Sequence, residues 1–167
     1  MDKPTILTFD EVTSTNDVIK DMLKTRQGQA PLAVVARAQT AGRGRYGHKW
    51  ASPGGGLYIS VAPAIRLTVD EVYELQFDSA RNICRALCDL MPDAKDHIHL
   101  KWPNDIMADN GKLAGILVER PPAVVGIGLN VERPQRGADA RAAYLSDITS
   151  TLPSYDTIAN AVIASVL

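Results

Sequence analysis

Ile106-Met107-Ala108-Asp109-Asn110-Gly111-Lys112-Leu113-Ala114-Gly115-Ile116-Leu117-Val118 reads as two apolar runs hinged on Asn-Gly. That dipeptide accepts the φ > 0 conformations of a tight hairpin turn at little steric cost. The stretch therefore predicts an antiparallel strand pair. With a two-residue loop, Asp109 faces Lys112 and Asp105 faces Ile116. Strand parity then puts Lys112 and Asp105 on the same side of the sheet.

On the N-terminal side, Ile98, Leu100 and Trp102 alternate with His97, His99 and Lys101, the pattern of a half-buried strand. On the C-terminal side, Val124 to Val131 forms another apolar run after Pro121-Pro122, and Arg133 to Gly137 reads as a loop. Further upstream, Thr5–Phe9, Leu32–Ala36 and Leu57–Ala62 are short strand candidates. Ser14 is placed as an N-cap, with Asp17 at the third helical position, for a helix running to about Leu23. From Val69 to Met91 the apolar residues Ala80, Ile83, Cys84, Leu87 and Met91 form a helical stripe that Pro92 ends. Ile158 to Leu167 begins a closing helix. Strands outnumber helices without strict alternation. The expected fold is α+β, a mixed, mostly antiparallel sheet with helices packed on one face, as one domain over residues 1–167.

Composition narrows the function. The chain has 167 residues, 46% hydrophobic and 22% charged, with a net charge of −1. No global field draws it to nucleic acid or to an anionic membrane. No apolar run approaches the ~20 residues of a membrane span. Met1-Asp2-Lys3-Pro4 lacks a signal-peptide core, so a cytoplasmic location is expected. Cys84 and Cys88 read as reduced core thiols. His97 and His99 share a strand face; a solvated face accounts for them better than a metal site.

Three clusters carry chemistry. Gly42-Arg43-Gly44-Arg45-Tyr46-Gly47-His48-Lys49-Trp50 satisfies the spacing G-x-G-x-x-G. The dinucleotide reading fails, because that motif must open a helix. Here it runs into Ala51-Ser52-Pro53-Gly54-Gly55-Gly56. The loop instead carries its own cations, suited to phosphate or a mixed anhydride, and Trp50 offers a stacking surface. The alternative is a solvated basic loop. Lys101-Trp102-Pro103-Asn104-Asp105 ends a strand with an amide and a carboxylate, suited to nucleotide and magnesium contacts, or else an Asx-turn. Lys112 follows the hairpin turn. Gly115, with Gly126 and Gly128 on the next strand, leaves a bare sheet face where a flat ligand fits, or else marks a bulge or tight strand packing.

In this order, Ser14-Thr15-Asn16, Gln39 with the loop Gly42–Trp50, Ser52-Pro53, Lys101–Asp105, Lys112–Leu117 with Glu119, and Gly126–Asn130 make the chain resemble the biotin protein ligase family. The resemblance implies a fold akin to class II aminoacyl-tRNA synthetases. It also implies a two-step reaction, in which ATP with Mg2+ activates biotin to biotinyl-5′-AMP and the acyl group passes to a lysine of a biotin carboxyl carrier protein. By the same resemblance, Ser14, Thr15, Asn16, Gln39, Gly42, Gly115 and Gly128 contact biotin. Arg45, His48, Trp50, Asn104, Asp105, Lys112 and Asn130 line the ATP side. Lys112, Arg45 and Arg43 are the catalytic cations, and Asp105 is the magnesium candidate. A homodimer along a sheet edge is a further expectation. His48 stands where many relatives have arginine, and the turn between Glu119 and Val124 is short. The N-terminal DNA-binding and C-terminal SH3-like domains of family members are expected to be missing. Two other readings stay open: a biotin- or adenylate-binding module with little transfer, and a lipoate-type acyl ligase.

Overall fold

The computed structural model describes residues 3–25, 31–109, 111–135 and 139–167. Seven strands form one sheet: β1 (Thr5–Val12), β2 (Leu32–Gln39), β3 (Gly56–Ala62), β4 (Ile98–Lys101), β5 (Asp105–Ala108), β6 (Gly111–Glu119) and β7 (Val124–Asn130). Their order across the sheet is β1-β2-β3-β7-β6-β5-β4. Only β1 and β2 pair in parallel; the other pairs are antiparallel. The mixed, mostly antiparallel sheet is as expected.

Alternation along the central strands builds two different faces. Leu57, Ile59 and Val61 of β3 lie in register with Leu129, Ile127 and Val125 of β7. These join Ala80, Ile83, Leu87 and Met91 of α2 (Val69–Leu90) and Ile158, Val162 and Ile163 of α3 (Tyr155–Val166) in one core. The expected stripe on α2 is the stripe that packs. A capping box between Thr68 and Glu71 starts α2. The helix α1 (Thr15–Lys24) corrects the expectation that all helices share one face. Its Ile19 packs with Leu32, Val34, Ala62 and Val124 in a second cluster, on the other side of β2 and β3. Periodicity gives a helix an apolar stripe; it does not say which sheet face receives it.

Two strand expectations also change. Pairing at the hairpin begins at Ala108 and Gly111. Met107 then faces Lys112 and Asp105 faces Gly115, with a register shift between Ile106 and Met107. Gly111 serves packing: a Cβ there would sit 2.8 Å from the Ala143 nitrogen. Asp109 takes the left-handed conformation, φ 49°, which aspartate tolerates better than most residues. Asn110 lies outside the described residues, as do Arg136 and Gly137 of the expected loop and the terminal Met1-Asp2. Lys112 faces Met107, two positions along β5 from Asp105, so Lys112 and Asp105 still share a face. Trp102 is not a strand residue. The chain turns after Lys101, and Trp102 is 75% exposed.

Candidate active site

The face opposite α2 and α3 carries a cavity of about 750 Å3. Its floor is a polar cluster at the start of α1. Ser14, Thr15 and Asn16 are buried there although all are polar, so their hydrogen bonds decide whether the site is stable. The Thr15 amide and hydroxyl face Gln39 Oε1 at 2.9 and 3.2 Å. Gln39 Nε2 donates to Ser52 Oγ at 3.0 Å. Asn16 Nδ2 donates to Glu119 Oε2 at 2.6 Å. Ser60, fully buried on β3, touches both the Thr15 hydroxyl, at 2.7 Å, and Asn16 Oδ1. Ser14 stands at the N-cap of α1, yet its side chain makes no capping bond.

The glycines do not leave an empty face. A Cβ on Gly126 would lie 2.5 Å from Asn16 Oδ1, and one on Gly128 would lie 2.5 Å from Trp50 Cε2 and Nε1. At Gly115 it would meet Trp50 Cζ3 at 2.9 Å. The missing side chains make room for Asn16 and the Trp50 indole, not for a bare platform. The indole Nε1 is buried without a partner. Gly42 is equally constrained, since a Cβ would sit 2.5 Å from Ser52 Oγ.

The basic loop is a small closed hairpin. Arg43 bridges Lys49, Gly44 N donates to His48 O at 2.7 Å, and Trp50 N donates to Gly42 O at 3.0 Å. Tyr46 and Gly47 turn it with φ of 56° and 75°. No helix follows, which agrees with rejecting the dinucleotide motif. At the loop tip, Arg45 reaches across the cavity and donates to Asn104 Oδ1 at 2.9 Å and to the Tyr46 hydroxyl at 2.7 Å. Both partners are neutral, so the guanidinium keeps its full charge for an anion. Arg43 also lines the cavity, but Asp17 grips its guanidinium through two bonds of 2.6 Å. The Arg43 hydrogen bond holds the Asp17 carboxyl below its ordinary range. Burial raises the Glu119 carboxyl, but hydrogen bonds from Lys20 and Asn16 outweigh that and leave it lowered.

On the far side, Lys112 Nζ lies 2.7 Å from Asp105 Oδ1 and 5.1 Å from the Trp50 ring centre. Asp105 Oδ1 is buried, and this ammonium is its counter-charge. Asn104 is fixed by donating to Ile116 O at 3.1 Å, and Asn130 by donating to Lys112 O at 3.0 Å. His48 and Lys49 line the mouth. Among the described residues, no group of three or more His, Cys, Asp or Glu side chains could cage a metal. Cys84 and Cys88 are free, on the helix behind the sheet, and burial pushes the Cys84 thiol up to about 11. Neither is a nucleophile for this cavity.

Sequence reasoning missed three contributors. Ser60 and Tyr58 look like strand filler, yet they face the site side of β3. The segment around Arg141 carries no motif, but its backbone runs beside Lys112: Lys112 N donates to Arg141 O at 2.8 Å, and Ala143 N donates to Lys112 O at 3.0 Å.

The sheet, the buried polar floor and the cationic hairpin surround one cavity with polar and basic side chains, and known proteins share that architecture. The model of the biotin/lipoate A/B protein ligase family matches residues 8–131, and the chain belongs to that family. It is 32% identical over 159 residues to the biotin–[acetyl-CoA-carboxylase] ligase of Mycobacterium tuberculosis, covering 91% of this chain and 60% of that one. It superposes with a TM-score of 0.84 on a biotin protein ligase from Leishmania major in complex with biotinyl-5-AMP, at 32% identity, covering 98% of this chain and 74% of that one. With a biotin protein ligase from Aquifex aeolicus in complex with biotin and ATP, the TM-score is 0.79 at 30% identity, covering 97% and 68%. The chain spans 60% or less of the length of the curated relatives it matches, from 19% to 60%.

Proposed function

We propose that this domain is the catalytic core of an ATP-dependent biotin–[biotin carboxyl-carrier protein] ligase. The observation that carries the reading is the cationic hairpin folded over a buried polar floor, with Arg45 and Lys112 brought to the neighbouring residues Asn104 and Asp105 in one cavity. The biotin carboxylate attacks the α-phosphorus of Mg-ATP, pyrophosphate leaves, and the mixed anhydride biotinyl-5′-AMP remains. The amine of a carrier lysine then attacks the acyl carbon and AMP departs.

Ser14, Thr15, Asn16 and Gln39 take the polar ring of biotin, with Gly42, Gly115 and Gly128 allowing close approach. Lys112 bridges the carboxylate and the phosphate, exchanging Asp105 for the developing charge. Arg45, His48, Asn104 and Asn130 border the nucleotide, Trp50 flanks it, and Asp105 is the carboxylate nearest to magnesium. Arg43 roots the hairpin on α1 through Asp17, which steadies the end from which Arg45 swings. A carrier protein is the macromolecular partner and the cytoplasm the expected site of action. No helix among the described residues is long and apolar enough to cross a membrane.

The purified protein, biotin, Mg-ATP and a carrier domain provide the test, with pyrophosphate release and carrier mass both followed. Biotin-dependent pyrophosphate and a carrier gaining one biotinyl group are expected. Pyrophosphate without carrier modification would reduce the reading to the first half-reaction, and no response to biotin would sink it. Arg45→Gly is expected to release adenylate and label lysines indiscriminately. Strict selectivity for one carrier in that variant would remove the gate role.

A further inference from the structure

Ser60 and Glu119 lie behind the cavity wall, and counting protons through them has a consequence for recognition. The ionised Glu119 carboxylate only accepts hydrogen bonds. Lys20 Nζ stands 2.9 Å from its Oε2, and the Asn16 amide 2.6 Å from the same atom. Asn16 must therefore turn its NH2 toward Glu119 and its oxygen toward Ser60. Because that oxygen only accepts, the single proton of the Ser60 hydroxyl is committed to Asn16. Ser60 Oγ and Thr15 Oγ1 are 2.7 Å apart, so one of them must donate. Ser60 has no proton left, so Thr15 supplies its own. Gln39 Oε1 is meanwhile satisfied by the Thr15 amide at 2.9 Å.

We infer that Glu119 is a specificity-determining positioning residue: through Asn16 and Ser60 it fixes the Thr15 hydroxyl as a hydrogen-bond acceptor, so that the floor selects a ligand N–H over a ligand oxygen. The inference rests on the proposed biotin site, because the biotin ring carries two such N–H groups. Without an acceptor at position 119, the Asn16 amide is free to reverse. Its NH2 then donates to Ser60, Ser60 donates to Thr15, and the Thr15 proton turns away from Ser60 toward the cavity and Gln39 Oε1, 3.2 Å away. Thr15 then spends a lone pair on Ser60 and its preference for a ligand N–H weakens, with no residue of the cavity wall altered.

Glu119→Gln and Glu119→Met separate this from a purely electrostatic or structural role. Both remove the charge that faces Lys20 and Arg43. Only Gln keeps a carbonyl oxygen for the Asn16 amide. Binding of biotin is compared by calorimetry with binding of the two cyclic carbamates in which one ring N–H is replaced by oxygen. Wild type is expected to reject at least one carbamate by roughly 100-fold, the scale of one mispaired polar group. Glu119→Gln is expected to hold that ratio within about 3-fold, and Glu119→Met to lower it by about 10-fold or more. Equal ratios in the two variants, or no discrimination by wild type, would overturn the inference. If Glu119→Met does not fold, Ser60→Ala interrupts the same chain, and an unchanged ratio there overturns it equally. Absence of biotin binding by wild type would instead defeat the proposed function.

Discussion

The strands β3, β6 and β7 present one face to α2 and α3 and the other to the cavity, and the two faces are built to different rules. On the helix side, Leu57, Ile59, Leu129 and Ile116 are selected for volume and are fully or almost fully buried. On the cavity side, the same strands offer Tyr58, Ser60, Gly115, Gly126 and Gly128. Their contribution is a missing Cβ or one correctly aimed proton. A packed core tolerates exchanges that conserve volume. A polar floor tolerates few, because each atom left unpaired costs its full desolvation. Fold stability and recognition should therefore separate cleanly by face.

The largest expected effect comes from the core face. Leu87→Ala opens a cavity beneath α2 and should cost about 2–5 kcal/mol in denaturant unfolding. Biotin affinity, measured under conditions where the variant stays folded, should remain within about 2-fold. A stability loss below ~1 kcal/mol together with weakened binding would break the division. Gly128→Ala is the converse change. Its Cβ would lie 2.5 Å from the Trp50 ring, so the indole must lift. Affinity should fall about 10- to 100-fold, or ~1.4–2.8 kcal/mol, with a change in indole fluorescence. Its effect on stability should be under about 1 kcal/mol.

Acid sharpens the comparison. Glu119 and Asp17 both have carboxyls held below their ordinary values, 4.5 and 3.8. A lowered folded value means stability that is fully present above the ordinary value and lost as pH falls through the lowered one. Both groups lie on the cavity side. Glu119→Gln should therefore flatten the loss of melting temperature below about pH 4.5 without altering the neutral plateau by comparable amounts. An acid limb as steep as that of wild type would show that this cluster contributes nothing.

The same division explains what the sequence disclosed. Charged loops and helical stripes announce themselves by residue type, so Arg43, Arg45, Asn104, Asp105 and Lys112 were legible, and so was the α2 stripe. Ser60 was hidden because a serine inside an alternating strand looks like filler until its partners are known. Glu119 stood out only through the family resemblance, as the end of a run of matching residues. The glycines were read as a bare face for a flat ligand, but their occupants, Asn16 and Trp50, come from 65 or more residues away in the chain, a separation that no local pattern encodes. The register error at the hairpin arose because Gly111 is already paired in β6, opposite Ala108, where the sequence reading put it in the turn. Strand parity survives a shift of two at Lys112, so Lys112 and Asp105 meet either way.

The smallest expected effect contrasts two helix caps. Thr68 starts α2 on the core side, and its hydroxyl accepts from the Glu71 amide in a capping box. Ser14 occupies the same position on α1, facing the cavity, and makes no such bond. Two side chains of the same cap-favouring type thus do different work. Thr68→Ala should cost about 1 kcal/mol of stability and leave biotin affinity unchanged. Ser14→Ala should cost less than about 0.5 kcal/mol, because the amides of α1 lose no side-chain partner, and yet should weaken biotin binding by about 10-fold. Denaturant unfolding and calorimetry on the two variants decide it. A Ser14→Ala variant that is destabilised as much as Thr68→Ala and binds biotin normally would mean that Ser14 is an ordinary cap, with its hydroxyl committed to the helix rather than to the cavity.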